Sequence, residues 1–192
     1  MARPKEFERE DALADAIKVF SDRGFAGAST DAVLEAMRIS RQSMYDTFGG
    51  KRQLYLEALG RYNAQSVSAI VRSIESAPTP LAGVEAALLD FAARPSADAA
   101  LGCLGVGSVC EFGVADAEVR KINEASGARL EKAFERALVA AQRAGEIAAD
   151  LSPRATAQYL LAMLSGMKVA ARGGASRAAL KDMARLALRG LR

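Results

Sequence analysis

The chain has 192 residues, 51% of them hydrophobic and 26% charged, which suits one or two compact domains with a substantial core. Its 26 Lys and Arg stand against 23 Asp and Glu, so overall charge cannot carry nucleic-acid binding, and any cationic surface has to be local. Histidine is absent, the two cysteines are not closely spaced and no phosphate-cradling glycine motif occurs; this removes the usual general base, the dyads built on it and clustered metal sites, and no cofactor is implied.

Alanine is abundant, strand-like alternation is missing and helical signals recur from end to end, so the expected fold is all-α. No run of about 18 apolar residues exists, and the start Met-Ala-Arg-Pro-Lys-Glu has no apolar signal segment. The expectation is a cytoplasmic protein, not an enzyme, without a membrane partner.

A first helix is predicted from about Glu8 to Arg23, with Leu13, Ile17 and Phe20 inward and Gly24 as its stop. Arg3, Lys5 and Arg9 would form a basic arm. Two short helices follow: Ser29 or Thr30 can cap the first, and Ser40 can cap the second. Val33, Leu34 and Met37 keep helical spacing, Ile39 plugs the turn, and Met44 and Phe48, four apart, mark the inward face of the second helix. At 100° per residue Gln42, Asp46 and, less squarely, Ser43 point away from that face, with Tyr45 and Thr47 on its flanks. This is the pattern of a helix-turn-helix, and its outward polar residues are of the types that read base edges or hold phosphates. Arg38, Arg41, Lys51 and Arg52 oppose only Asp46 between residues 38 and 52, which makes the positive charge local.

The order Phe20, Gly24-Phe25, Ser29-Thr30, Ile39-Ser40, Met44-Tyr45, Phe48 and Lys51-Arg52-Gln53-Leu54-Tyr55 resembles the amino-terminal domain of TetR/AcrR-type transcriptional regulators over roughly residues 8 to 55. The resemblance implies an all-helical homodimer that binds a palindromic operator in double-stranded DNA and releases it when a small-molecule effector fills the second domain. It implies that Thr30, Tyr45 and Lys51 contact phosphates and that Arg41, Gln42 and Ser43 lie nearest the base edges. Arg38, Ser40 and Thr47 complete the expected DNA-binding set. Two positions depart from the family: Arg38 replaces the glycine common in the turn, and Asp46 replaces an aromatic or basic residue. Arg38 would need a left-handed backbone, at a cost of roughly 1 kcal/mol or more.

The expected DNA-binding domain is 1–50 and the effector-binding and dimerisation domain 51–192. A long helix runs from about Lys51 toward Ala77, and Pro78-Thr79-Pro80 breaks it and begins another. Arg94-Pro95-Ser96 interrupts that one, and a glycine-rich piece extends from Leu101 to Gly113. Asp116 caps an extended helix to Ala144, which Gly145 ends; Ser152-Pro153 opens a helix to about Arg172, Gly173-Gly174 closes it, and a last helix starts at Ser176. Leu160, Leu164, Met167, Leu180, Met183 and Ala187 define apolar stripes on these two helices; a dimer seam and an ordinary core both account for them, and the resemblance favours the seam. Arg177, Lys181, Arg185 and Arg189 form a basic ridge whose simplest reading is a solvated face.

Tyr62, Phe91, Cys103, Glu111, Phe112, Asn123, Phe134, Tyr159 and Met163 are the candidates for an effector cavity, and the same residues at helical spacing also suit plain core. The Gly102-Cys103-Leu104 segment resembles the start of the sixth helix in the subset of these regulators that sense electrophiles or oxidants through a cysteine. A cysteine-sensing repressor is therefore one alternative, and a helical interaction module that does not bind DNA is another.

Overall fold

The computed structural model describes residues 8–94 and 102–191, and the described residues are helices joined by short turns, without strands. In chain order the helices are α1 (Arg9–Gly27), α2 (Thr30–Met37), α3 (Arg41–Phe48), α4 (Lys51–Glu75), α5 (Pro80–Ala93), α6 (Leu104–Phe112), α7 (Ala117–Arg143), α8 (Pro153–Arg172) and α9 (Arg177–Arg189). Arg3, Lys5, Pro95, Ser96 and Leu101 lie outside the described residues.

Short polar side chains set the helix starts. Ser29, Ser40, Thr79, Ser152 and Ser176 each accept a hydrogen bond from the amide three residues on, and Asp116 does the same for Val119 at 3.0 Å. Each satisfies an amide that has no partner within its helix. Pro80 and Pro153 occupy first helical positions, where a missing N–H costs nothing. Gly24 (φ 69) kinks α1 after Arg23 and leaves Phe25–Gly27 as a separate last turn. Arg38 closes α2 in the left-handed conformation (φ 54, ψ 41) that the sequence demands there.

The chain divides into two compact units. The first comprises 1–63 with 103–123 and the second 64–102 with 124–192, so α4 and α7 each contribute to both. The first unit therefore holds more than the stretch before residue 51. Its core gathers Leu13, Ala16 and Phe20 of α1, Val33 and Met37 of α2, Met44 and Phe48 of α3, and Leu54, Tyr55 and Leu59 of α4, together with Leu104 of α6 and Val119 of α7. In the second unit Val84, Leu88 and Phe91 of α5 pack with Phe134 and Leu138 of α7, Leu160 and Met167 of α8, and Leu180 and Ala187 of α9.

The glycine-rich piece, to which periodicity alone assigns no element but whose Gly102-Cys103-Leu104 segment resembles a helix start, folds as α6 with Cys103 directly before its first residue. Leu104 and Ser108 are buried on its inner side. Gly105 lies where a Cβ would stand 2.5 Å from Asn63 Oδ1, so the glycine is the means by which α6 comes close to α4. Asn63 donates to Asn123 Oδ1 (3.0 Å), Asn123 donates to Ser108 Oγ (2.9 Å), and Ser108 donates to the Gly105 carbonyl (2.7 Å). A chain of satisfied polar groups thus ties α4, α6 and α7 within the first unit.

Candidate nucleic-acid interface

The outer face of α3 follows from its inner one. Met44 is fully buried and Phe48 nearly so, which fixes the rotation of the helix and leaves Arg41, Gln42, Tyr45 and Asp46 exposed. Ser40 Oγ accepts from the Ser43 amide (3.0 Å) and shares a hydrogen bond with Ser43 Oγ (2.8 Å). The Ser43 side chain is therefore turned toward the cap and is half-buried.

Two carboxylates organise the rest of this face. Asp31 of α2 receives Arg41 Nη2 at 2.6 Å and holds the guanidinium across the turn. Both side chains are largely exposed, so the pair orients Arg41 and contributes little to stability. Gln42 donates from Nε2 to Asp46 Oδ1 at 2.8 Å, one helical turn on. Gln42 and Asp46 are legible as a pair from their four-residue spacing; Asp31 and Arg41, ten apart on different helices, are not.

The expected phosphate contacts are placed unevenly. Thr30 is the first residue of α2 and half-buried, while Ser29 is its cap. Tyr45, 53% exposed, lies along Gly50, whose missing Cβ would stand 3.1 Å from the ring. Thr47 is half-buried, and Arg38 and Ser40 are exposed at the turn. Lys51 is turned inward: its ammonium donates to the Phe25 carbonyl at 2.6 Å and sits 4.4 Å above the Phe25 ring centroid. It completes the end of α1, where one of its three N–H donors is used on the Phe25 carbonyl. Arg9, expected in the basic arm, begins α1, pairs with Glu57 at 2.7 Å and stacks on Phe48.

A second set of contacts joins α6 and α7 to this platform. The Glu111 carboxylate accepts from the Phe25 amide (2.9 Å) and the Ala26 amide (2.7 Å), the N–H groups freed by the kink at Gly24. A Cβ on Gly24 would stand 2.8 Å from Glu111 Oε2. Phe112 stacks with Phe25 and Tyr55, and Arg52 bridges Asp116 (2.7 Å) and Glu118 (3.2 Å). Hydrogen bonding to Arg52 and to the Val119 amide holds the Asp116 carboxyl below its usual range, while burial pushes the Tyr55 phenol well above its own. Glu111, read from the sequence as a ligand contact, is thus a clamp on α1; no spacing rule links residues 25 and 111.

The nine cavity candidates divide between the two units. Phe112 and Asn123 belong to the first unit's packing, and Tyr62 and Cys103 are half-buried there. Phe91 and Phe134 are buried in the second unit's core, Met163 packs against that core, and Tyr159 is 48% exposed. The second unit carries an open groove of about 860 Å³ along α7, lined by Lys132, Glu135, Arg136, Val139, Ala140, Arg143 and Ala144, and none of the nine lines it. Five of the six expected seam residues, Leu160, Leu164, Met167, Leu180 and Ala187, are at most 2% exposed and serve their own unit's core; Met183 is half-buried. The outer side of α8 instead shows Tyr159, Ala162, Gly166 and Val169, and α9 shows Leu186.

Residues 12–58 match the family model for bacterial regulatory proteins of the tetR family, and residues 80–187 match that for the tetracyclin repressor-like C-terminal domain. An uncharacterized HTH-type transcriptional regulator, YezE of Bacillus subtilis (strain 168), is 32% identical over 166 residues, covering 83% of this chain and 84% of its own. The HTH-type transcriptional repressor ComR of Escherichia coli (strain K12) is 27% identical across 97% of this chain and 90% of its own. Among solved structures, a cysteine mutant of the TetR family transcriptional regulator CifR, complexed with 26-bp double-strand operator DNA, superposes with a TM-score of 0.87 at 31% identity over 100% of both chains.

Proposed function

The chain belongs to the TetR family of bacterial regulatory proteins, and from that premise we infer that it works by binding rather than by catalysis, in the cytoplasm, as a homodimeric repressor of a palindromic operator. It is a DNA-binding, ligand-responsive transcriptional regulator, and no described helix is long and apolar enough to cross a membrane. The observation that carries the reading is the outer face of α3, where Arg41 and Gln42 are exposed and oriented on a helix whose rotation Met44 and Phe48 fix. In this role α3 enters the major groove, Arg41 reaches guanine or a phosphate, Gln42 pairs with adenine, and Thr30, Tyr45 and Lys51 steady the backbone.

A symmetric operator requires two copies. The exposed strip Tyr159, Ala162, Gly166 and Val169 on α8, with Leu186 on α9, supplies the surface for a four-helix contact about a two-fold axis, small residues allowing close approach. The effector acts by favouring a conformation whose two reading helices no longer match successive major grooves.

Binding of the purified dimer to duplexes selected from a random library, measured across a salt series, tests this. A symmetric consensus is expected, with steep loss of affinity as salt rises. Arg41→Ala and Gln42→Ala should each weaken the selected site by about 1–3 kcal/mol. Equal affinity for selected and scrambled duplexes contradicts the reading.

The cysteine-sensing alternative rests in the sequence on Cys103, which is half-buried at the start of α6; the exposed thiol is Cys110, which directly precedes Glu111, the clamp on Phe25 and Ala26. Iodoacetamide should then release operator DNA from the wild type and spare Cys110→Ser; release from both, or from neither, excludes Cys110 as the sensor.

A further inference from the structure

Asp46 stands where electrostatics oppose it twice. It lies in the last turn of α3, where a carboxylate meets the negative end of the helix dipole, and on the face that turns toward a phosphate-lined groove. A residue kept at such a cost needs a gain elsewhere, and the hydrogen bond from Gln42 shows what that gain can be. The Gln42 amide presents Nε2 to Asp46 Oδ1, since the opposite orientation would set two acceptor oxygens against each other. Fixed in this way, Gln42 keeps its Oε1 and its second N–H for one base, and Asp46 keeps its remaining acceptor sites for another.

We propose that Asp46 is a specificity-determining residue that accepts a hydrogen bond from a cytosine amine, next to the adenine read by Gln42. An ionised carboxylate can only accept. In the major groove guanine presents N7 and O6, and thymine presents O4, all acceptors that repel it. Adenine offers an amine flanked by the acceptor N7, whereas cytosine offers its N4 amine alone, so cytosine is selected. The Gln42–Asp46 pair thus reads two adjacent bases as a unit, and the carboxylate lowers affinity for DNA in general while raising discrimination. This rests on α3 being the reading helix.

The test is library selection with full-length wild type, Asp46→Asn and Asp46→Ala, followed by affinity measurements on the wild-type consensus, on single-base variants of it and on an unrelated duplex. Wild type should select an adjacent adenine and cytosine in each half-site. Asp46→Asn keeps an acceptor for Gln42 and gains a donor, so it should retain adenine but lose about tenfold of its preference at the cytosine position. Asp46→Ala should relax both positions, and both variants should bind the unrelated duplex a few-fold tighter, because a like charge has gone. If Asp46 merely props Gln42, Asp46→Asn keeps the wild-type consensus and only Asp46→Ala alters it, at adenine; that result overturns the proposal. So does an unchanged consensus in both variants. Failure of the wild type to select any consensus overturns the proposal together with the functional reading, and is distinct from the other two outcomes.

Discussion

Arg38 is the clearest case of a residue whose conformation is legible but whose identity runs against it. The turn between α2 and α3 requires a left-handed residue, and the sequence supplies arginine at φ 54. Arg38→Gly should therefore be more stable than Arg38→Ala by up to about 1 kcal/mol in thermal or denaturant unfolding, although glycine loses more chain entropy. The reverse order would mean that the backbone there is unstrained. Asp116 gives a pH prediction. Its carboxyl titrates below its unfolded value because Arg52 and the Val119 amide hold the charged form, so it stabilises the fold above about pH 4, and that contribution disappears as pH falls through the lower, folded value. Asp116→Asn should flatten this acid limb in melting curves recorded between pH 2 and 5, and an unchanged limb would assign it to other carboxylates.

The elements were largely legible because local chemistry sets their ends. Ser29, Ser40, Thr79, Asp116, Ser152 and Ser176 are caps in both sequence and structure. The body of α6 was not, because Gly105 and Gly107 among its first four residues weaken the helical signal, and what holds it is tertiary: Leu104 in the core and Asn63 against Gly105. Nor was the clamp between α6 and α1, since Glu111 reaches amides 85 and 86 positions away. The clamp predicts a coupling. Gly24→Ala should cost about 2 kcal/mol from its positive φ and from its Cβ meeting Glu111 Oε2, and Glu111→Ala about 1 kcal/mol from lost hydrogen bonds. Glu111→Ala removes the collision, so the double variant should be more stable than the sum of the two predicts. Strict additivity in denaturant unfolding would show that the two do not press on each other.

At the scale of the whole molecule, periodicity located the apolar faces of α8 and α9 but could not assign them, because a helix that packs on two sides repeats at 3.6 residues on both. Leu160, Leu164 and Met167 went to the chain's own core, and the outer strip around Gly166, where a Cβ would meet open space, is the surface proposed for a second copy. The same ambiguity applies to the cavity candidates, since an aromatic at helical spacing looks alike in a core and in a pocket. Val169, 54% exposed, is the last residue of the strip on α8 and supplies its large apolar side chain beside Gly166. Val169→Glu should leave the melting temperature of the single chain nearly unchanged, convert the dimer to monomer in analytical ultracentrifugation and weaken operator binding at least tenfold. A variant that stays dimeric would place the two-fold contact elsewhere.

The most direct examination of the account is a footprint of the intact protein on the DNA flanking its own gene, compared with the Arg41→Ala/Gln42→Ala variant. The account predicts two protected half-sites on one face of the duplex, their centres about 10 base pairs or a multiple of that apart, lost in the variant while its fold persists. Protection that survives loss of both side chains, or a single site without a symmetric mate, would contradict it.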